Sequence, residues 1–291
     1  MVLGDPRLLD AARRRIDQLE SRWSRFLSGS EVSALNAAGG RPIRVSQDTY
    51  RLVSASVQAW ADTAGRFDPT VLGDVIRAGY DRTIQEVIQG GRAGVSVLQK
   101  NAAGIRLDPT TRTVSFPADT GFDPGGLGKG LAADIVVDEL IGLGARGACV
   151  NLGGDLRVQG DGPDDGRWVI SIDHPTRSHE ICLIAIADGG VATSTTAKRV
   201  WSVDGERRNH IIDPETGRFL SSAVIAATSI ASDAASAEVA AKHALLSGPA
   251  SAIAAIEGFG CDGLIVTDED TVIRTRGFDR FAIQARTDQG R

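Results

Sequence analysis

The placement of glycine restricts this chain more than any other feature. The 34 glycines gather in clusters: Gly125, Gly126, Gly128 and Gly130, then Gly153 and Gly154, then Gly189 and Gly190. Clustered glycines mark tight turns or close approach of the backbone to a ligand. A single pair reads as a turn. Three clusters beside polar residues point to a binding site.

Between the clusters the apolar periodicity changes. Residues 7–27 carry Ala12, Ile16, Leu19, Trp23 and Phe26 on one helical face. A short helix is predicted over Glu31–Asn36 and another over Thr49–Ala64, with Leu52, Val53, Val57 and Trp60 inward. From residue 104 the period drops to two. A hairpin is predicted over 104–116, turning at Asp108-Pro109-Thr110-Thr111. Residues 131–140 read as a helix ended by Gly142 and Gly144. Strands are predicted over 148–151, 155–159, 168–173, 181–187, 199–203 and 223–230. A helix follows over 234–247 and a last hairpin over 263–275. No internal repeat, linker or low-complexity tract divides the chain. The fold class is therefore α+β (mixed α/β): one domain over 1–291, with mixed sheets, helices packed around them and a cleft. A chain of 291 residues is long enough to bury about three-quarters of its unfolded surface.

Composition excludes several function classes. Apolar residues at 42% and charged residues at 24% belong to a globular chain, not a disordered one. A net charge of −5 argues against binding nucleic acid through phosphate neutralisation. Cys149, Cys182 and Cys261 are too dispersed for a zinc knuckle or a disulfide framework. No apolar run has the ~20 residues of a transmembrane helix. The charged, helical pattern of residues 1–30 is not that of a signal peptide or lipobox, so a cytoplasmic location is expected.

The strongest local motif is Asp123-Pro124-Gly125-Gly126-Leu127-Gly128-Lys129-Gly130, opening a helix. Free N–H groups and the helix dipole there attract an anion, and Lys129 is placed to reach a phosphate. The motif matches neither Walker A nor the Rossmann fingerprint. By itself it fits a phosphate site and a structural strand-to-helix turn equally. Asn151-Leu152-Gly153-Gly154-Asp155 fits a hairpin turn, and Ala192-Thr193-Ser194-Thr195-Thr196 fits a strand end whose hydroxyls bind phosphate or cap. The four histidines show no metal-ligand spacing. His210 stands out by preceding the turn Asp213-Pro214-Glu215-Thr216-Gly217.

In order along the chain, these pieces resemble the ApbE-type flavin transferases. Ser24-Arg25-Phe26 through Ser30-Glu31-Val32-Ser33-Ala34-Leu35-Asn36 is similar to that family's S-x-F…S-E-I-S-x-L-N segment. Phe67-Asp68-Pro69-Thr70-Val71 is similar to its F-D-P-T-V turn. Asp123–Asp134, Asn151–Asp155, Gly190–Ser194 and Asn209–Gly217 follow its remaining motifs. The resemblance implies an FAD:protein FMN transferase, which moves FMN from FAD onto a Thr or Ser hydroxyl of a target protein and releases AMP. It implies Asn36 at the flavin or ribityl region, with Gly125, Gly126, Lys129 and Asp134 at the adenosine and diphosphate. Gly153, Gly154 and Asp155 would line the FAD cleft, and Thr193 and Ser194 would lie beside the diphosphate. His210 would be the base.

The family also uses magnesium. The resemblance sets the Gly128 carbonyl and the Glu238 carboxylate as its ligands, with Lys242 where the family has a threonine ligand. An ammonium is no metal ligand. It is placed instead to pair with Glu238 at i,i+4, so magnesium is expected to bind weakly or not at all. In a different register Asp233 would be the ligand. Asn209 stands for the first His of the family's pair, and the family's N-terminal strand is expected to be missing from this chain. Two other readings share the pocket: an FAD-binding protein without transfer, and an FAD pyrophosphatase.

Overall fold

The computed structural model describes residues 1–88, 94–203 and 205–283. Strand β1 (Val2–Leu3) leads into helix α1 (Arg7–Trp23), which buries Ala12, Leu19 and Trp23. The helix ends sooner than its periodicity suggests, and Phe26 is 38% exposed. Helix α2 (Glu31–Asn36) starts where the Ser30 side chain accepts the Ser33 N–H at 3.0 Å. Strand β2 (Ile43–Arg44) precedes α3 (Gln47–Asp62), capped in the same way by Ser46. Leu52 and Val53 are buried as predicted. Val57 and Trp60 are half-buried, because Ser56 and Ala59 take the innermost positions.

Helices α4 (Leu72–Arg77) and α5 (Ile84–Ile88) carry no long apolar period, and sequence reading omits them. The predicted hairpin forms from β3 (Arg106–Asp108) and β4 (Thr113–Ser115), with β2 pairing on β4. Helix α6 (Gly128–Gly142) then runs through the interior. It is buried around most of its circumference, with Asp138 and Glu139 exposed, and packs Leu131, Ile135, Val136 and Leu140 between α1, α3 and the main sheet.

The remaining strands are β5 (Gly147–Leu152), β6 (Asp155–Gly160), β7 (Trp168–Asp173), β8 (Glu180–Ile186), β9 (Gly189–Thr195), β10 (Val200–Val203), β11 (Glu206–Asn209), β12 (Ile212–Asp213), β13 (Arg218–Phe219), β14 (Val224–Ala231), β15 (Asp262–Thr267) and β16 (Val272–Arg274). Helices α7 (Ala234–Ser247) and α8 (Ala252–Gly258) lie between β14 and β15. The main sheet runs β1-β5-β6-β9-β14-β15-β16, each pair antiparallel.

Two apolar layers cover this sheet. Val224, Ala227 and Ile265 pack with Ala240, Ala244 and Leu245 of α7. On the opposite face Val158, Val191, Ala226 and Leu264 pack with Trp168, Ile172 and Ile184 of the β7–β8 hairpin. The mixed architecture agrees with the sequence reading. Two corrections concern strands. The segment expected to be a strand end at Ala192–Thr196 lies mostly within β9, a seven-residue strand inside the sheet. A short strand also precedes residue 7: Val2 and Leu3 pair with Ala148 and Gly147 at the sheet edge.

Candidate functional site

The start of α6 meets the middle of α7. Asp123 shapes the approach, its Oδ1 accepting the Gly125 N–H at 2.8 Å and its Oδ2 lying 3.3 Å from Arg25 Nε. A Cβ on Gly126 would lie 2.6 Å from the Phe67 ring, and one on Gly130 would clash with the Ala234 carbonyl. These two glycines are needed for packing inside the protein. The α6 N-terminus, expected to attract an anion, already holds the protein's own carboxylate: the Gly130 N–H donates to Glu238 Oε2 at 2.8 Å.

Glu238 is 1% exposed. Lys129 Nζ lies 3.1 Å from its Oε1 and also pairs with Asp155. Lys242 Nζ lies 3.9 Å from the same Oε1 and donates to the Gly125 carbonyl at 3.4 Å. Burial pushes the Glu238 pKa up, but the two ammonium groups and the Gly130 N–H outweigh it and hold the group below the usual carboxylate range. Burial lowers Lys242 to about 8, opposed by Glu238 and assisted by the charge of Lys129.

A cavity of about 450 Å³ opens over this cluster. Of the candidate site residues, Gly125, Gly126, Lys129, His210 and Lys242 line it, with Arg25, Phe26, Phe67, Asp68, Asp123 and Pro124 from the quoted motifs beside them. His210 sits at a bend between β11 and β12. The buried Asn209 side chain builds that bend, donating to the Leu220 carbonyl at 2.9 Å and accepting the Ile211 N–H at 3.0 Å. His210 Nδ1 is buried without a hydrogen-bond partner among the described residues. Its pKa is pushed down to about 3, first by burial, then by the charges of Arg199, Lys242 and Lys129, with the Lys198 backbone opposing. The imidazole is therefore neutral at pH 7, and it is a weak base until the charges of the surrounding cations are offset.

Sequence reasoning assigned no role in the site to the other cationic walls, Arg25, Arg66 and Arg199, nor to the aromatic wall of Phe26 and Tyr80. Arg25 lies 4.1 Å from the Phe26 ring centroid and 4.8 Å from that of Tyr80. It stands inside the quoted Ser24-Arg25-Phe26 motif. Nothing local marks Arg199.

The other candidates are not among the residues lining the cavity. Asn36 clamps the chain at Phe122, donating to its carbonyl at 3.0 Å and accepting its N–H at 2.7 Å. Asp134 accepts the Ala234 and Ala235 N–H groups at 2.8 and 2.9 Å. It thus caps α7 from within α6, and burial raises its pKa to about 6 despite those two bonds. Gly153 and Gly154 form the β5–β6 turn with φ of +73° and +104°, tied by Asn151 Oδ1 accepting the Gly154 N–H at 2.8 Å. Asp155 touches the site only through Lys129. Thr193 bonds Thr228 at 2.9 Å, on the sheet face it shares with Val191, away from α7. Ser194 is buried opposite Ala227, on the α7 side.

The donors present do not suit a divalent cation. Gly128 opens α6, and the two oxygens of Glu238 are engaged, one by the Gly130 N–H and the other by the Lys129 ammonium. Asp233 caps α7, accepting the Ser236 N–H at 2.7 Å. Among the described residues no group of three His, Cys, Asp or Glu side chains is arranged to hold a metal ion.

Among the described residues no helix is long and apolar enough to cross a membrane. The chain matches the ApbE family over residues 2–265. It is 26% identical over 226 residues to the FAD:protein FMN transferase of Vibrio cholerae, covering 74% of this chain and 66% of that protein. A Klebsiella pneumoniae protein of the same name is 28% identical over 250 residues, covering 80% and 76%. One from Rhodobacter capsulatus is 30% identical over 211 residues, covering 69% and 39%. The chain thus spans just under two thirds of the Vibrio relative and well under half of the Rhodobacter one. The ApbE protein of Thermotoga maritima superposes with a TM-score of 0.87 at 25% identity, covering 97% of this chain and 93% of that one. The flavinyl transferase ApbE of Pseudomonas stutzeri shares the fold, with a TM-score of 0.79 at 24% identity over 96% and 89%. Motif order, a shared fold along nearly the whole chain and the match over residues 2–265 lead to one conclusion: this chain belongs to the ApbE family.

Proposed function

We propose that this chain is an FAD:protein FMN transferase. The observation that carries the reading is a neutral His210 on the wall of a cavity also lined by Lys129, Lys242 and Arg199. Cations there suit a diphosphate, and an unprotonated imidazole suits the removal of a hydroxyl proton. The relatives named FAD:protein FMN transferase support the same assignment.

In this reading a Thr or Ser hydroxyl of a target protein attacks the phosphorus on the riboflavin side of FAD. A new P–O bond forms to the hydroxyl oxygen. The P–O bond to the bridging oxygen breaks, and AMP departs with that oxygen. The hydroxyl proton passes to His210. Lys129 and Lys242 stabilise the negative charge on the phosphate oxygens, the main task in phosphoryl transfer. No step is assigned to a metal, because the donors around Glu238 do not suit one.

The test is mass spectrometry of a candidate acceptor domain after incubation with FAD and the protein. Gain of one FMN on a Thr or Ser, with AMP released, is the expected result. Free FMN plus AMP with an unmodified acceptor would instead assign a pyrophosphatase, and intact FAD would assign binding alone.

A further inference from the structure

We propose that Lys242 takes the electrostatic place of a divalent cation in this site, so that FAD is held without metal. The inference rests on the proposed function in taking FAD as the ligand, but it concerns binding and not transfer. It starts from a misfit. The carboxylate between the two lysines, Glu238, has one oxygen on the Gly130 N–H and the other 3.1 Å from Lys129 Nζ and 3.9 Å from Lys242 Nζ. A dication here would need that carboxylate, and two ammonium groups already surround it. It would meet their repulsion, and both oxygens of that carboxylate are already engaged.

A dianionic diphosphate meets the opposite situation. Lys129 is compensated twice, by Glu238 and by Asp155. Among the described residues Lys242 shares Glu238 at longer range and donates to the Gly125 carbonyl, with Asp123 adding a weaker negative charge. It lines the cavity, with its side chain 15% exposed. Lys242 is thus a fixed cation with incomplete compensation, anchored one helical turn from Glu238 and pointed at the ligand space. A phosphate oxygen would complete its pairing through a charge-assisted hydrogen bond. The charge a bound metal would bring is then part of the chain.

The test measures FAD binding by calorimetry or flavin fluorescence, first with EDTA and then with millimolar magnesium. Wild type is expected to bind FAD equally well in both, within about twofold, a difference well below the tenfold that 1.4 kcal/mol gives. Lys242→Ala in EDTA is expected to bind about tenfold or more weakly, the scale of one lost charge-assisted contact. Lys242→Arg is expected to keep most of the affinity. In Lys242→Thr, a smaller side chain with a hydroxyl ligand, magnesium is expected to recover what EDTA leaves weak.

Circular dichroism and thermal melts establish that each variant is folded, and Lys242→Arg keeps the test informative if the truncated variants are not. Wild-type binding that requires magnesium would overturn the proposal while leaving the transferase reading standing. So would metal-free binding indifferent to Lys242, or absence of magnesium rescue in Lys242→Thr. Failure of FAD to bind under either condition would overturn both. Metal-free, Lys242-dependent binding without transfer to any acceptor would support the proposal and count against the transferase alone.

Discussion

Lys129 Nζ and Glu238 Oε1 meet at 3.1 Å across 109 residues of sequence. With the neighbouring bond from the Gly130 N–H to Glu238 Oε2, this contact pins the first turn of α6 to the middle of α7. The floor of the cavity is therefore set by two packed helices, the more rigid way to hold a site.

Glu238→Gln tests that joint. The amide oxygen can still accept from Gly130, but two ammonium groups lose their shared anion. Solvent reaches Lys129, and Asp155 also compensates it. The expected loss is therefore about 1–3 kcal/mol in urea unfolding, below the full cost of breaking a buried pair. The pKa of Glu238 is held below its usual 4.5. Its contribution is present above that value and lost as pH falls through the lowered one. The variant should show a shallower acid limb than wild type, and an identical limb would refute the assignment.

His210→Ala separates catalysis from binding. FAD affinity should stay within about threefold, while the rate of FMN transfer falls ~100-fold or more, the range for loss of a general base. Unchanged turnover would remove His210 from the mechanism.

The ionisation of His210 should respond to FAD. Burial and three nearby cations hold its pKa at about 3 in place of 6.5. The unfolded chain takes a proton that the folded site refuses, so this group destabilises the fold as pH drops from 6.5 towards about 3. A bound diphosphate offsets the cations and should move the value upward. NMR titration of the imidazole with and without FAD measures both. A midpoint near 6.5 without ligand would contradict the buried geometry.

Gly126→Val should weaken FAD retention because the Cβ meets the Phe67 ring at 2.6 Å. Relief requires the turn or the ring to move, at a cost of about 1–3 kcal/mol. Since both residues line the cavity, equilibrium dialysis should register the shift. A folded variant that retains FAD like wild type would show that the turn does not shape the ligand site.

Asp134→Ala discriminates a structural role from a ligand role. It strips acceptors from the Ala234 and Ala235 N–H groups and an anion from Arg157, 3.5 Å away. The expected outcome is a loss of about 2–4 kcal/mol in stability, with FAD affinity of the folded protein unchanged. Loss of affinity without loss of stability would return Asp134 to the ligand site.

What the sequence determined by itself is what depends on neighbours along the chain. Apolar periods placed α1 and α3, α6 and α7 were read as continuous helical stretches, and alternation with turn residues placed the β3–β4 and β15–β16 hairpins. Motif order was enough for the family, and the i,i+4 spacing of Glu238 and Lys242 already put the two on one helical face. Tertiary structure decided everything that depends on which surfaces meet. Asn36, Asp134 and Thr193 are polar residues inside motifs, and in sequence they look like ligand contacts. In the fold each finds a partner in the protein, because buried polar groups must be paired. Arg199 reaches the cavity from a segment without any motif and Arg66 from the position just before the Phe67–Val71 motif, and the anion at the α6 N-terminus is Glu238, 108 residues away from Gly130. Charge compensation at the site is a sum over groups brought together from distant parts of the chain. Local pattern names the groups, and only packing decides which of them remain uncompensated and face the ligand.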